Sequence, residues 1–160
     1  MADEIQAKVH GLPDYREALR SLPSKLRVRA LRNALAAGAR IVQKDARART
    51  PVLSPTNAAR APYRKPGTVR KAISVRTSKL ARRAGDVGVF VNVRPAKAAL
   101  RGAKSKDDPF YWRFLEFGTS KLPGVGMLQG AAQKLGQALD KFKATIGPQI
   151  QRLNARKDAL

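Results

Sequence analysis

Between residues 25 and 49 the apolar positions recur at helical spacing. Val28, Leu31, Leu35, Val42 and Ala46 fall on one stripe at about 100° per residue, with Gly38 inside it. Lys25, Arg29, Arg32, Arg40, Lys44 and Arg47 gather on roughly the opposite side. One face is built to pack on a core; the other meets solvent or a partner. Ser24 reads as the N-cap, and Pro51 limits the helix because the residue before a proline is steered out of the α region. A second amphipathic helix is predicted over about 127–146, with Leu128, Ala131, Leu135, Leu139, Phe142 and Ile146 on its stripe. Gly147-Pro148 should stop it and leave 148–160 as a frayed polar tail.

Elsewhere the period changes from helical to two. Residues 4–12, EIQAKVHGL, alternate Ile5, Ala7 and Val9 against polar neighbours, as in a half-buried strand. A turn at Gly11–Asp14 and a short helix over 14–22 follow. Residues 69–76 alternate toward Ile73 and Val75, and 86–94 alternate Val87, Val89, Val91 and Val93. These two predict an antiparallel pair joined through Ala84-Gly85. Two stretches show no period: 50–67, with four prolines, and 95–108, basic and weakly apolar. Both read as mobile loops. The sum is an α+β fold, a single domain over 1–147. A small, mostly antiparallel sheet packs against a long helix in the N-terminal half and a C-terminal helix.

Composition changes this picture mainly through charge. A chain of 160 residues suits one domain and buries about 70% of its unfolded surface. Lys and Arg number 33 against 11 Asp and Glu, a formal charge of +22. Unless its surface is simply solvated, such a chain meets something acidic: nucleic acid, an anionic membrane surface or an acidic protein. With no cysteine there is no disulfide scaffold or thiolate metal site, which fits a reducing cytoplasm. The start MADEIQAK carries no secretory signal pattern, and the small-apolar run Ala34–Ala39 is too short to cross a bilayer.

Catalytic patterns are missing. There is one histidine, His10, and no HExxH, GxSxG or P-loop spacing. Asp107 and Asp108 are adjacent in a loop and read as solvated. Gly124, Gly126 and Gly130 miss the dinucleotide spacing by one residue and read as a turn into the last helix. No residue is assigned to a metal or cofactor.

The densest apolar stretch lies at 110–117. It holds Phe110, Tyr111, Trp112, Phe114 and Phe117, and should form the heaviest part of the core. As a helix, it puts Phe110, Phe114 and Phe117 on one face and Trp112 with Glu116 on another. Glu116 is either a general acid in an apolar pocket or a structural acceptor, taking backbone N–H groups of a turn or pairing with an arginine. The lack of a second catalytic group favours the structural role.

The run Tyr111-Trp112-Arg113-Phe114-Leu115-Glu116-Phe117-Gly118-Thr119-Ser120-Lys121, followed by Pro123, Leu128 and Ala131, resembles the tail-completion, or head–tail joining, proteins of long-tailed bacteriophages. "VHGL" at 9–12, "RALRNALAAGARIVQKDARARTP" at 29–51 and "GTVRKAISV" at 67–75 resemble that family at the right places, the last where its members commonly have Gly-x-Leu-Arg-x-Ser-Ile. The likeness covers roughly 5–140. One departure stands out: family members commonly read Pro-Phe-Leu-x-Pro-Ala where this chain has Gly126-Met127-Leu128-Gln129-Gly130-Ala131, a less rigid start for the last helix.

The resemblance implies a structural virion protein of the phage neck, made in the host cytoplasm and placed at the head–tail interface. It would form a homo-oligomeric, hexameric ring against the connector or adaptor and the tail terminator or tube, with transient contact to packaged DNA and none to a membrane. Tyr111, Trp112, Phe114, Glu116, Phe117, Gly118 and Thr119 would be its structural motif. Two basic surfaces would make the partner or DNA contacts: Arg29, Arg32, Arg40 and Arg47 on the long helix, and Lys97, Arg101, Lys104 and Lys106 in the 95–108 loop. The alternative is a non-specific basic nucleic-acid-binding protein of ribosomal or nucleoid type, which the charge fits equally well. Against it stand the lack of RNP aromatics, a GXXG loop or finger spacing, and aromatics placed beside Glu116 instead of between Lys and Arg.

Overall fold

The predicted long helix is present as α1, Ser24–Arg49. In this computed structural model the described residues are 19–20, 24–60, 64–102 and 105–157. After α1 come α2 (Pro55–Arg60), α3 (Thr68–Ala72), β1 (Ile73–Thr77), α4 (Lys79–Arg83) and β2 (Val89–Val93). A 3-10 turn (Ala98–Leu100), α5 (Trp112–Phe117), α6 (Met127–Ala131), a second 3-10 turn (Ala132–Lys134) and α7 (Leu135–Lys157) complete the order. The strand and turn expected over 4–14, with His10, lie outside the described residues. Of the helix expected over 14–22 only Leu19 and Arg20 are described, and both are helical.

α1 is the wall that the rest of the chain shares, packing against α7, α6 and both strands. Its N-terminal half and α7 enclose one cluster: Ala30, Ala34, Phe142, Ile146 and Ile150. Its C-terminal half encloses another with the sheet and α6: Ala46, Val69, Ile73, Val93, Met127 and Ala131. The fully covered positions of α1 are the small ones, Ala30, Ala34, Gly38 and Ala46, and not the predicted stripe. Val28 is 42% exposed, while Leu31, Leu35 and Val42 only flank the contact. Periodicity weights large side chains, whereas two helices approach most closely where side chains are smallest. At Gly38 the approach is extreme: a Cβ there would stand 2.4 Å from the Ala138 carbonyl oxygen.

The antiparallel pair is present, with Ile73 opposite Val93, Val75 opposite Val91 and Thr77 opposite Val89. Its strands are shorter than predicted. Residues 68–72 are helical where a strand was expected, because Val69 and Ile73 lie four apart and both reach the second cluster. Gly67, at φ 75°, turns the chain into α3, and the Thr68 hydroxyl donates to the Lys65 carbonyl at 2.8 Å. The strands are joined through a further helix, α4, and not by a direct turn at Ala84-Gly85. Ser78 caps α4, its hydroxyl accepting from the Ala81 N–H at 3.1 Å.

Other local expectations also change. The 50–67 connection contains α2, which opens with Pro55 at its first position. In the 95–108 segment, Asp108 is buried, 6% exposed, and accepts the Gly102 N–H at 2.7 Å. Asp107 alone is the solvated one, pairing with Lys65 at 3.3 Å. Finally, α7 runs through Gly147-Pro148 to Lys157 where a stop and a frayed tail were expected. Gly147 has no Cβ to clash with the proline ring. Ile146 and Ile150, both buried against α1, offset the hydrogen bond that Pro148 cannot donate.

The close approach at Gly38 gives a paired test. Gly38→Ala should destabilise the fold by about 1–3 kcal/mol, because its methyl group meets backbone and not a movable side chain. Gly136→Ala, in the first turn of α7 with nothing within 4 Å of the added Cβ, should be neutral or stabilise by up to about 1 kcal/mol. Urea denaturation of the two variants checks both signs.

Candidate functional site

The aromatic run divides across α5. Tyr111, Trp112 and Leu115 pack on the second cluster, while Phe114 and Phe117 point outward, 56% and 74% exposed. The run is therefore not the heaviest part of the core; half of it is surface. Nor are the aromatics separate from the arginines. Arg64 lies 4.8 Å from the ring centres of both Phe110 and Tyr111, and Arg113 lies 5.6 Å from that of Trp112. Arg64 arrives from a distant part of the sequence, so no local spacing announced it.

At Gly118 (φ 83°) the chain turns back on itself. Thr119 closes the turn: its N–H donates to the Leu122 carbonyl at 2.8 Å, and its hydroxyl accepts the Leu122 N–H at 3.2 Å. Gly118 then bridges to Pro123, and two glycines face each other across the join. A Cβ on Gly118 would come within 2.6 Å of the Gly124 nitrogen, and one on Gly124 within 2.6 Å of the Glu116 carbonyl oxygen. That closeness lets the Val125 and Gly126 N–H groups donate to the carbonyls of Leu115 (2.7 Å) and Glu116 (3.1 Å), satisfying the end of α5.

Glu116 completes the join. It is 6% exposed, and its two carboxylate oxygens accept the N–H groups of Leu128 (2.9 Å) and Gln129 (2.8 Å). These are orphan donors in the first turn of α6, and the residue at the cap position, Gly126, has no side chain to receive them. A carboxylate from another helix takes the place of the local cap. The groups it holds belong to α6, not to the Gly118-Thr119 turn. Below it, the Thr50 hydroxyl donates to the Met127 sulfur at 3.3 Å, tying α6 to the end of α1. The glycines at 124 and 126 form this turn and cap.

The basic residues fall into distinct environments. Arg29, Arg32 and Arg40 are exposed on α1. Arg47 differs: it is half-buried, and its Nη2 donates to the Ile73 carbonyl at 2.8 Å beside Gln43 at 2.9 Å, anchoring the start of β1. Lys97, Arg101 and Lys106 are exposed; Lys104 lies outside the described residues. The structure also gathers cations that the sequence did not. Lys44, Arg47, Arg70 and Lys71 line a concavity of about 690 Å³ with Val52, Pro66 and Gly67, and no acid lines it. Arg70 and Lys71 were missed because their segment reads as a strand, which would have put them on opposite faces.

The Glu116 join can be tested directly. Glu116→Gln should cost about 1–3 kcal/mol of stability, since an amide offers one acceptor where two N–H groups need one each. Amide exchange at Leu128 and Gln129 should accelerate before that of α1, as read by NMR.

A family model described as bacteriophage HK97 gp10, a tail component, matches residues 14–118. The match takes in α1 to α5 and the Tyr111–Gly118 part of the aromatic motif, and stops before Thr119, α6 and α7. No curated protein and no solved structure matches the chain. Among the described residues no helix is long and apolar enough to cross a membrane. On a match spanning well over half of its length, the chain belongs to the HK97 gp10-like family of bacteriophage tail components.

Proposed function

We propose that the protein is a structural component of the phage neck, completing the tail and joining it to the DNA-filled head as one subunit of a hexameric ring. The observation that supports this best is the hairpin held by Glu116. Phe114, Phe117, Leu122 and Val125 stand exposed on a backbone fixed by opposed glycines and a buried carboxylate. Large apolar groups held this rigidly in water are what a subunit buries against a neighbour. A head-to-tail contact of that kind closes into a ring when its rotation allows. The exposed cations of α1 and of the 95–108 segment suit acidic surfaces on the connector, tail terminator or tube. They also suit brief contact with DNA passing between head and tail. No catalytic step, metal or cofactor enters this role, and its place is the virion, after assembly in the host cytoplasm.

The concavity lined by Lys44, Arg47, Arg70 and Lys71 favours a second reading, a non-specific nucleic-acid binder. Salt separates the two. Each neutralised phosphate contributes about −0.9 to the slope of log K against log salt. A dedicated binder keeps micromolar or tighter affinity for duplex DNA at physiological salt, whereas a neck subunit should be nearly released; fluorescence anisotropy across a salt series decides between them.

Assembly carries its own expectations. Alone, the protein should be a monomer or weak oligomer, because +22 per subunit opposes ring closure. With tail tubes it should form a defined ring by light scattering and electron microscopy. Phe114→Ser with Phe117→Ser should leave the melting temperature unchanged and abolish that ring. Arg29→Glu, Arg32→Glu and Arg40→Glu together should leave intact heads and intact tails unjoined in a complementation assay. Fully joined particles from the arginine variant would return that face to simple solvation.

A further inference from the structure

We propose that residues 4–12 of this chain add as a third strand to the outer edge of β2, laying Ile5, Ala7 and Val9 into the apolar groove between the sheet and the α1–α7 pair. The inference is independent of the neck role. It begins with the hydrogen-bond register. The Arg94 N–H donates to the Ala72 carbonyl at 2.9 Å, and the Ser78 N–H to the Gly88 carbonyl at 2.8 Å. Bonded pairs alternate along an antiparallel ladder, so Ser74–Asn92 and Arg76–Phe90 exchange both bonds between them. Phe90 and Asn92 therefore turn their N–H and C=O toward β1. Val89, Val91 and Val93 turn theirs the other way, where none of the described residues bonds them. Val93 is only 4% exposed, and buried backbone polar groups are almost always paired. The edge calls for a strand.

The groove beside that edge calls for the same occupant. It holds about 520 Å³ and is lined almost wholly by carbon, among others Leu35, Val42, Val91, Leu128, Leu135 and Leu139. A strand on β2 would present alternate side chains to it and the others to water. Residues 4–12 carry that pattern: Ile5, Ala7 and Val9 on one side, Gln6, Lys8 and His10 on the other. They lie outside the described residues, but the chain re-enters at the right place. Leu19 packs on the cluster that contains Ala30 and Phe142, and Phe142 also lines the groove. Nine residues, 10–18, separate Val9 from Leu19, enough to span roughly 30 Å when extended. Tethering at that length gives an effective concentration in the millimolar range, which favours the chain's own segment over that of a second, equally basic copy.

The test uses the full-length chain. In the unaltered protein the amides of Val89, Val91 and Val93 should be protected from exchange. Ile5→Asp with Val9→Asp should speed their exchange by about tenfold or more while Phe90 and Asn92, bonded to β1, stay protected. Gln6→Glu with Lys8→Glu, on the outer side, should change neither set. Equal exchange at Val89, Val91 and Val93 in the unaltered protein and the Ile5/Val9 variant overturns the proposal. So does parallel loss at Phe90 and Asn92, which would report unfolding of the sheet instead. The chain has no cysteine, so Lys8→Cys carries a single spin label. Broadening of the Val91 amide should occur within one chain; broadening only when labelled and isotope-enriched copies are mixed would mean exchange between copies and overturn the assignment.

Discussion

The contact between the Glu116 carboxylate and the first turn of α6 holds together parts of the molecule that share little else. α5 is short and half-exposed, and α6 is a five-residue helix whose cap position is glycine. Neither would persist alone, since helices of that length are unstable in water. The carboxylate gives α6 the acceptors it lacks, and the backbone of 125–126 gives α5 the donors it lacks. Burying the charge is tolerable only because both oxygens receive N–H groups, and charge-assisted bonds are the stronger kind. The exchange is reciprocal, so losing one side loosens the other. Met127 then carries the join to Thr50, and through it to α1.

α1 makes this possible by being narrow where it must be. Ala30, Ala34 and Gly38 let α7 come close, and Ala46 lets the sheet and α6 meet at the other end. Bulky residues at these positions would hold the partners apart and open voids between them. The large apolar residues of α1 sit to the sides instead, where Leu35 and Val42 line the groove beside β2. One helix thus separates two cores while its remaining face stays free for cations.

How much of this was legible depends on range. The extent of α1 and the pairing of β1 with β2 follow from period and from a proline, both local signals, and the structure contains them. The inward stripe of α1 was misplaced by one residue because closeness of approach depends on the partner helix, which the chain does not display. α3 was hidden because Val69, Ile73 and Val75 satisfy both a helical and a strand spacing, and only the position of the second cluster decides between them. Pro148 and Asp108 misled for the same reason: local propensity argues for a stop and for solvation, and tertiary burial overrides it. At the candidate site, the aromatics and Glu116 were visible as an anomaly, but the N–H groups Glu116 holds lie twelve and thirteen residues on. The cation cluster at Arg70 and Lys71 could not be seen at all until α3 was known.

In the proposed neck role, charge and shape then divide the work. A surface with this excess of cations attracts acidic partners over distances near the Debye length, about 8–10 Å at moderate salt, and repels copies of itself. Attraction of that kind is weakly directional and cannot by itself set the register of a ring. The hairpin can, because Phe114 and Phe117 project from a backbone that opposed glycines and a buried carboxylate leave little room to move. Rigid apolar groups lose little entropy on docking, so their contact becomes favourable once neighbours are held close. An acidic tail surface that gathers subunits and offsets their repulsion would supply that closeness. Ring closure would then wait for the finished tail and would not run ahead of it in solution.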